Sequence, residues 1–371
     1  MKVCLAIEKF DPKTGGAERY CWDLAHFLAD RGHEVAVICM KSSGTDCPGI
    51  AIHKVRVIKF PQSLRHLSFA LMHFFKARKM KGWVHYGVGN TFHMDIYQPH
   101  GGLHAAWSER DIIRYSENMR SLIRIIKRLS FKDAFQRAFE WWTLKVERPV
   151  VLAISRMVEN DIREFCGKNP PEIFLIPNGI DTRKYSPAKI EGRSDIRKFY
   201  GLGENDFVFL FVANNFILKG FRILLEALKK IKKTNVRLLV VGEPDAGSMS
   251  LAGKFGRMIV FAGKSAGLDY IYPACDCLAH PTYYDACSLV VLESLASGTP
   301  VITTSANGAS MFIESGKNGY IIPAADVDAL EHAIDKMISG GMPHVENTSF
   351  DDSYTVFEKI EKVIAEKGKR K

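Results

Sequence analysis

Two carboxylates eight residues apart, Asp285 and Glu293, stand in the stretch His280-Pro-Thr-Tyr-Tyr-Asp-Ala-Cys-Ser-Leu-Val-Val-Leu-Glu-Ser-Leu-Ala-Ser-Gly-Thr-Pro-Val-Ile-Thr-Thr304. The apolar pattern puts Asp285 in a loop after a strand and Glu293 one to two turns into the following helix. At such a helix start the backbone N–H groups of Ser288, Leu289 and Val290 have no acceptor within the helix. The helix dipole adds partial positive charge there. That terminus suits a diphosphate. Glu293 is then placed to accept hydrogen bonds from ribose hydroxyls, while Asp285 faces a sugar. A capped helix with a solvated loop acid fits the same spacing, because two acids at this separation are common.

The elements that must hold these groups alternate apolar β-rich runs with helical stretches, the mark of βαβ units and parallel sheets. In the first half, strands are expected at 3–7, 35–39, 52–58, 84–88, 96–98, 150–154 and 173–176. Helices are expected at 17–30, at 64–79 and over much of 105–145. The composition turns polar and proline-containing after Pro177-Asn178-Gly179-Ile180-Asp181, and the alternation then restarts. Strands follow at 207–212, 236–241, 258–261, 277–280 and 300–303, with helices at 221–231, 268–274, 288–297 and 353–366. The economical fold is α/β, two doubly wound Rossmann-like halves facing a central cleft. Their expected limits are 1–180 and 181–349, with a C-terminal helix, 350–371, crossing back toward the first half.

The carboxylate segment resembles the donor-binding signature of glycosyltransferase family 4, usually Glu-x7-Glu followed by a small-residue helix and Gly-x-Pro-Val. Here the pattern is Asp285-x7-Glu293 and Gly298-Thr299-Pro300-Val301, with the first carboxylate shortened by one methylene. Gly15-Gly16-Ala17-Glu18 resembles the family's N-terminal Gly-rich loop, where a missing Cβ lets phosphate or acceptor approach the backbone. A plain turn is the simpler use of such a pair. Arg31-Gly32-His33-Glu34-Val35 resembles the usual close of the first helix, and Pro177–Asp181 the turn at the domain junction; both are structural.

Phe216-Ile217-Leu218-Lys219-Gly220 resembles the stretch carrying the diphosphate lysine, although the arginine that often precedes it is missing from 213–218. Arg222 is one substitute. His100-Gly101-Gly102 resembles the His-Gly turn beside the reacting sugar. The resemblance spans nearly the whole chain. It implies the GT-B fold and a retaining hexosyltransferase whose nucleotide sugar is a substrate, with no cofactor and no metal. His100 and Asp285 are the implied catalytic residues; Gly15, Gly16, Lys219, Ser288, Leu289, Val290 and Glu293 bind substrate. Within the family the chain is similar to the members that move glucose from UDP-glucose to lipopolysaccharide-core heptose.

Charge points to the partner of the first half. Residues 1–175 hold 27 Lys and Arg against 18 Asp and Glu, whereas 176–371 hold 24 against 23. Cys47 to Met94 contains no acid at all. Together with the Arg- and Lys-rich stretch from Trp107 to Arg148, this suits a phosphate-bearing glycolipid acceptor or an anionic membrane surface. A cytoplasmic protein, peripheral on the inner face of the membrane, is the expected setting. No nucleic-acid module is visible, so a nucleic-acid-binding protein is suggested by charge alone. The motifs also fit a capsule or exopolysaccharide transferase, a GT-B sugar-nucleotide epimerase, or a silent nucleotide-sugar sensor. Asp351-Asp352 reads as a helix cap.

Overall fold

Parallel strands buried on both faces read as near-continuous apolar runs, and the chain supplies two sets of them. In the computed structural model, residues 1–43, 47–264, 267–340, 345 and 350–369 are described. The chain begins with β1 (Lys2–Ala6), β2 (Lys9–Phe10), α1 (Gly16–Asp30), β3 (Glu34–Cys39), β4 (Lys41–Ser42), β5 (Ile50–Lys54) and α2 (Gln62–Ala77). It continues through β6 (Val84–Gly87), β7 (Ile96–Tyr97), α3 (His104–Asp111), α4 (Glu117–Leu129), α5 (Phe131–Trp141), β8 (Val150–Ala153), α6 (Arg156–Cys166) and β9 (Ile173–Leu175). The strands form one parallel sheet in the order β5-β3-β1-β6-β7-β8-β9, beside a small β2–β4 pair.

The second series is α7 (Arg193–Phe199), β10 (Phe207–Val212), α8 (Phe221–Leu228), β11 (Val236–Val241), α9 (Ala246–Ala252), β12 (Ile259–Gly263) and α10 (Leu268–Ala274). Then come β13 (Cys277–His280), α11 (Leu289–Ala296), β14 (Val301–Thr304), β15 (Gly319–Ile322), α12 (Val327–Gly340) and α13 (Ser353–Lys369). Its parallel sheet runs β12-β11-β10-β13-β14-β15. In both sheets the strand order reverses beside the first strand, between β1 and β6 and between β10 and β13. Ligands of doubly wound sheets bind outside the strand ends at such a reversal.

The chain divides into two compact units: Met1–Glu109 with Asn118–Gly179 and the C-terminal helix, and Arg110–Glu117 with Ile180–Asp352. The small segment 110–117, inside the stretch read as one domain, thus groups with the second unit. Val356, Phe357, Ile360, Val363 and Ile364 of α13 enter the first unit's core with Leu24, Phe27 and Leu28 of α1. The junction glycine serves that packing, since a Cβ on Gly179 would stand 2.6 Å from the Ser353 Cα.

The long helical stretch expected at 105–145 is broken. A 3-10 turn (Ile112–Arg114) separates α3 from α4, and a π-helical turn (Trp142–Glu147) follows α5. The strand expected at 52–58 ends at Lys54, where pairing with β3 stops. Helix α6, which the apolar pattern does not announce, is capped by the Ser155 hydroxyl, which accepts from the Val158 amide at 3.2 Å. Eight buried cysteines lie in these cores.

Candidate active site

Lys219 reaches its place because a glycine follows it. Gly220 has φ +78°, and a Cβ there would lie 2.1 Å from the Pro281 carbonyl oxygen. The β10–α8 connection can therefore lie directly on the backbone that leaves β13. The Thr282 hydroxyl and the Tyr283 amide both donate to the Leu218 carbonyl, at 3.1 and 3.0 Å. On the other flank the Asp285 amide donates to Ala306 O at 3.0 Å, and the Gly308 amide donates to Asp285 O at 2.8 Å. The loop from Thr282 to Ser288 is thus stitched on both sides at the β10/β13 reversal.

Gly220→Ala is expected to destabilise the chain by ~2 kcal/mol or more, because a left-handed conformation costs a side chain ~1–2 kcal/mol before any overlap is counted. Urea denaturation measures it. An unchanged midpoint would mean that the two segments do not need this approach.

Lys219 Nζ stands 2.5 Å from Oδ2 of Asp285 in that loop, and His280 Nε2 is 3.7 Å from the same oxygen. Burial alone would raise the Asp285 carboxyl, but Lys219 and His280 outweigh it and hold the group below its ordinary range. His280 is only 1% exposed, and burial keeps its pKa below the usual value. Its Nε2 also meets the Ser288 hydroxyl at 3.2 Å. The result is an anchored carboxylate with one cation and one imidazole around a single oxygen.

Helix α11 opens next to this group. Of the three amides expected to be open at this helix start, those of Ser288, Leu289 and Val290, the Ser288 amide is taken. Its N–H donates to Asn307 Oδ1 at 3.3 Å, and the same oxygen accepts from the Ala309 amide. Leu289 and Val290 hold the first two helical positions and are half-buried. Their N–H groups have no acceptor within the helix. Glu293 lies deeper, where the Tyr272 hydroxyl donates to Oε2 at 2.8 Å and Tyr185 supplies a second side-chain hydrogen bond. Burial raises its pKa despite these donors. A carboxylate offers about four lone-pair directions, so capacity for further hydroxyl donors remains.

Arg222, the substitute cation suggested by the sequence, does not join the group. It is exposed, and its Nε donates to Glu226 Oε1 at 2.8 Å on its own helix.

In the first unit, Gly15 precedes α1 with an extended backbone, φ −175° and ψ 178°. Neither Gly15 nor Gly16 has a positive φ, so the strained conformation associated with such loops is not used here. A Cβ on Gly15 would meet only the flexible end of Glu18. One turn into α1 stands Tyr20, whose ring lies 4.4 Å from that of His100, edge-on. His100 Nε2 is 3.1 Å from Gln98 Oε1, and Gln98 Nε2 donates to the Tyr20 hydroxyl at 3.3 Å. The Tyr86 hydroxyl donates to Gln98 Oε1 as well. Burial lowers the His100 pKa to about 4.

The structure therefore brings Lys219, Asp285 and Ser288 together through His280, sets Glu293 behind them with Tyr272, and joins the Gly15–Gly16 helix to His100 through Tyr20 and Gln98. His280, Tyr272, Tyr185, Asn307, Gln98 and Tyr86 are the partners that sequence reasoning does not single out. His280 alone carried a signal, as the polar residue closing an apolar strand. Among the described residues no group of three or more His, Cys, Asp or Glu side chains is arranged to hold a metal ion.

Residues 192–349 match the family Glycosyl transferases group 1, and residues 14–184 match Glycosyltransferase Family 4. The lipopolysaccharide glucosyltransferase WaaG of Escherichia coli K12 is 27% identical over 87% of this chain and 85% of its own. A crystal structure of WaaG, a glycosyltransferase involved in lipopolysaccharide biosynthesis, superposes with a TM-score of 0.83 at 22% identity, covering 98% of this chain and 99% of that one. HepE from Anabaena, solved with UDP-glucose, gives 0.68 at 20% identity over 99% and 100%. These structures share the two-domain GT-B fold with the present chain.

Proposed function

We propose, for a chain that belongs to glycosyltransferase family 4 and is therefore a glycosyltransferase, that it moves glucose from UDP-glucose, with retention of configuration, to a hydroxyl of a lipopolysaccharide-core or related glycolipid. The observation carrying this reading is the Lys219–Asp285 pair beside the opening of α11, with Glu293 one turn deeper. A helix start plus an adjacent ammonium is chemistry for a diphosphate, and a half-buried carboxylate is chemistry for vicinal hydroxyls. The name of the E. coli relative and the ligand of HepE supply the sugar and the nucleotide.

In this mechanism the pyrophosphate sits on the Leu289 and Val290 amides and Lys219, and the ribose sits on Glu293. Asp285 accepts from hydroxyls of the transferred sugar, and His100 takes another. The acceptor oxygen attacks the anomeric carbon on the face from which phosphate departs. A new C–O bond forms as the C1–O bond to phosphate breaks, and the departing phosphate oxygen takes the acceptor's proton. Amides and Lys219 stabilise the charge that develops on the leaving group.

The partner surface is an anionic membrane. Met119, Leu122, Ile125, Ile126 and Leu129 of α4 are exposed on a helix with no buried residue, alternating with Arg120, Arg124, Lys127 and Arg128. Apolar and cationic groups combined in this way suit the headgroup region. The attachment in this reading is peripheral, at the cytoplasmic face. Among the described residues no helix is long and apolar enough to cross a membrane.

The test is a panel of UDP- and GDP-sugars read by thermal shift, with the product linkage read by NMR. UDP-glucose should raise the melting temperature and give an α-linked product on a core glycolipid. A panel in which no sugar nucleotide stabilises the protein sinks the reading. In parallel the protein should float with vesicles containing phosphatidylglycerol at low salt, and equal recovery without anionic lipid would refute the surface assignment.

A further inference from the structure

The buried amide beside His100 has a consequence for the polarity of that histidine. Gln98 and Tyr86 are 0% exposed, and Tyr20 is 8% exposed. A carboxamide oxygen only accepts hydrogen bonds. Because Gln98 Oε1 receives the Tyr86 hydroxyl and also faces His100 Nε2 at 3.1 Å, the imidazole must place its proton on Nε2. Turning the amide over would aim its NH2 at the enclosed Tyr86 hydroxyl and take away that hydroxyl's acceptor, which a buried donor does not tolerate cheaply.

The opposite ring nitrogen is left as an acceptor. His100 Nδ1 is not among the enclosed polar atoms that lack a partner. Edge-on ring contacts hold the plane, since the Tyr20 ring meets His100 at 4.4 Å and Phe357 of α13 meets Tyr20 at 5.2 Å.

We infer that Gln98 is a positioning residue that locks His100 as the Nε2–H tautomer, so that Nδ1 offers a lone pair to a hydroxyl of the donor sugar. The sugar half of this statement rests on the role proposed above for His100. A histidine free to exchange tautomers or to become charged would present N–H at that position instead. The titratable groups facing it are the Tyr20 phenol from α1 and, through Gln98, the Tyr86 phenol from β6. Burial raises both phenols above their ordinary pKa, so both are neutral. With His100 itself held at about 4, the tautomer and not the charge sets its behaviour near neutrality.

Two measurements test the two halves separately. In protein labelled with 15N-histidine, the long-range proton–nitrogen spectrum of His100, assigned with His100→Gln, should read Nε2 as the protonated nitrogen. Gln98→Leu should abolish that preference, with the fold checked by circular dichroism. Hydrolysis of UDP-glucose should fall about tenfold in kcat/KM in Gln98→Leu, as expected for one hydrogen bond to the sugar. In Gln98→Glu the new carboxylate favours imidazolium, so kcat/KM should gain an acid limb near neutral pH that the parent lacks down to about pH 5.

A parent protonated on Nδ1, or a tautomer unchanged in Gln98→Leu, overturns the lock. A lock seen by NMR with hydrolysis unaltered in Gln98→Leu, Gln98→Glu and His100→Gln alike overturns the sugar contact, and with it the role given to His100, while the donor site around Lys219 stands on its own test. If Gln98→Leu does not fold, the parent spectrum and the Gln98→Glu pH profile decide the question.

Discussion

Lys219→Ala is expected to lower kcat/KM for UDP-glucose by roughly a thousandfold, the upper range for removing one preorganised electrostatic contact to developing charge. The side chain is the cation nearest the proposed leaving group, and Arg222, which could have replaced it, is engaged with Glu226 on the surface of α8. The same substitution strands Asp285. Burial raises that carboxyl, and Lys219 is the largest influence opposing it. With the ammonium gone, the acid either charges at a cost or takes up a proton, and both weaken the fold.

Stability and catalysis separate in a double variant. Lys219→Ala with Asp285→Asn should regain much of the lost stability in urea, because neither partner is left as a lone buried charge. Activity should not recover, and should fall to or below the single-variant level, because Asp285 also holds the transferred sugar. If the double variant recovers transfer, the pair is a structural ion pair and Lys219 is not a phosphate ligand. In the parent, Asp285 has a folded pKa below its usual 3.8. Its contribution to stability is therefore complete above about pH 4 and is lost as the pH falls further.

Glu293→Ala carries the second large effect. Two charge-assisted hydrogen bonds to ribose are worth about 3 kcal/mol together, so the dissociation constant for UDP should rise by roughly a hundredfold. Isothermal titration with UDP measures this. The Tyr272 hydroxyl also loses its acceptor, which costs ~1–3 kcal/mol of stability for a buried donor. Tyr272→Phe is the control. It removes the same internal hydrogen bond but leaves the carboxylate, so stability should change while UDP affinity falls less than tenfold. Equal losses of UDP affinity in the two variants would assign Glu293 a purely structural part.

Much of this arrangement is legible before any coordinates. The runs Phe207–Val212, Val236–Val241 and Cys277–His280 are strands at the limits their apolar patterns predict, and Leu268–Ala274 is a helix as read. The alternation of such runs with helices is enough for two doubly wound sheets. Helix α12 is equally legible, with Leu330, Ala333, Ile334 and Met337 buried at helical spacing. It is nonetheless passed over together with β15, because no chemistry-bearing motif draws attention between β14 and the C-terminal helix expected at 353–366.

The unreadable part is tertiary pairing. Helix geometry says that the Ser288 amide lacks an intrahelical acceptor, but cannot say that Asn307, nineteen residues on, accepts from it. Tyr272 in an apolar helix is indistinguishable in sequence from an ordinary core aromatic, and only packing turns its hydroxyl to Glu293. Gln98 next to a proline carries no signal. Its importance comes from being sealed among Tyr20, Tyr86 and His100. The glycines show the converse. Gly15 and Gly16 attract attention by type yet take conformations open to other residues, whereas Gly220 takes a left-handed one against the Pro281 carbonyl.

The most direct measurement is a crystal structure of the chain with UDP-glucose bound. Phosphate oxygens should lie within hydrogen-bond reach of the Lys219 ammonium and the Leu289 and Val290 amides, with the ribose hydroxyls on Glu293. A nucleotide seated away from α11, with Lys219 still closed on Asp285 alone, would contradict it.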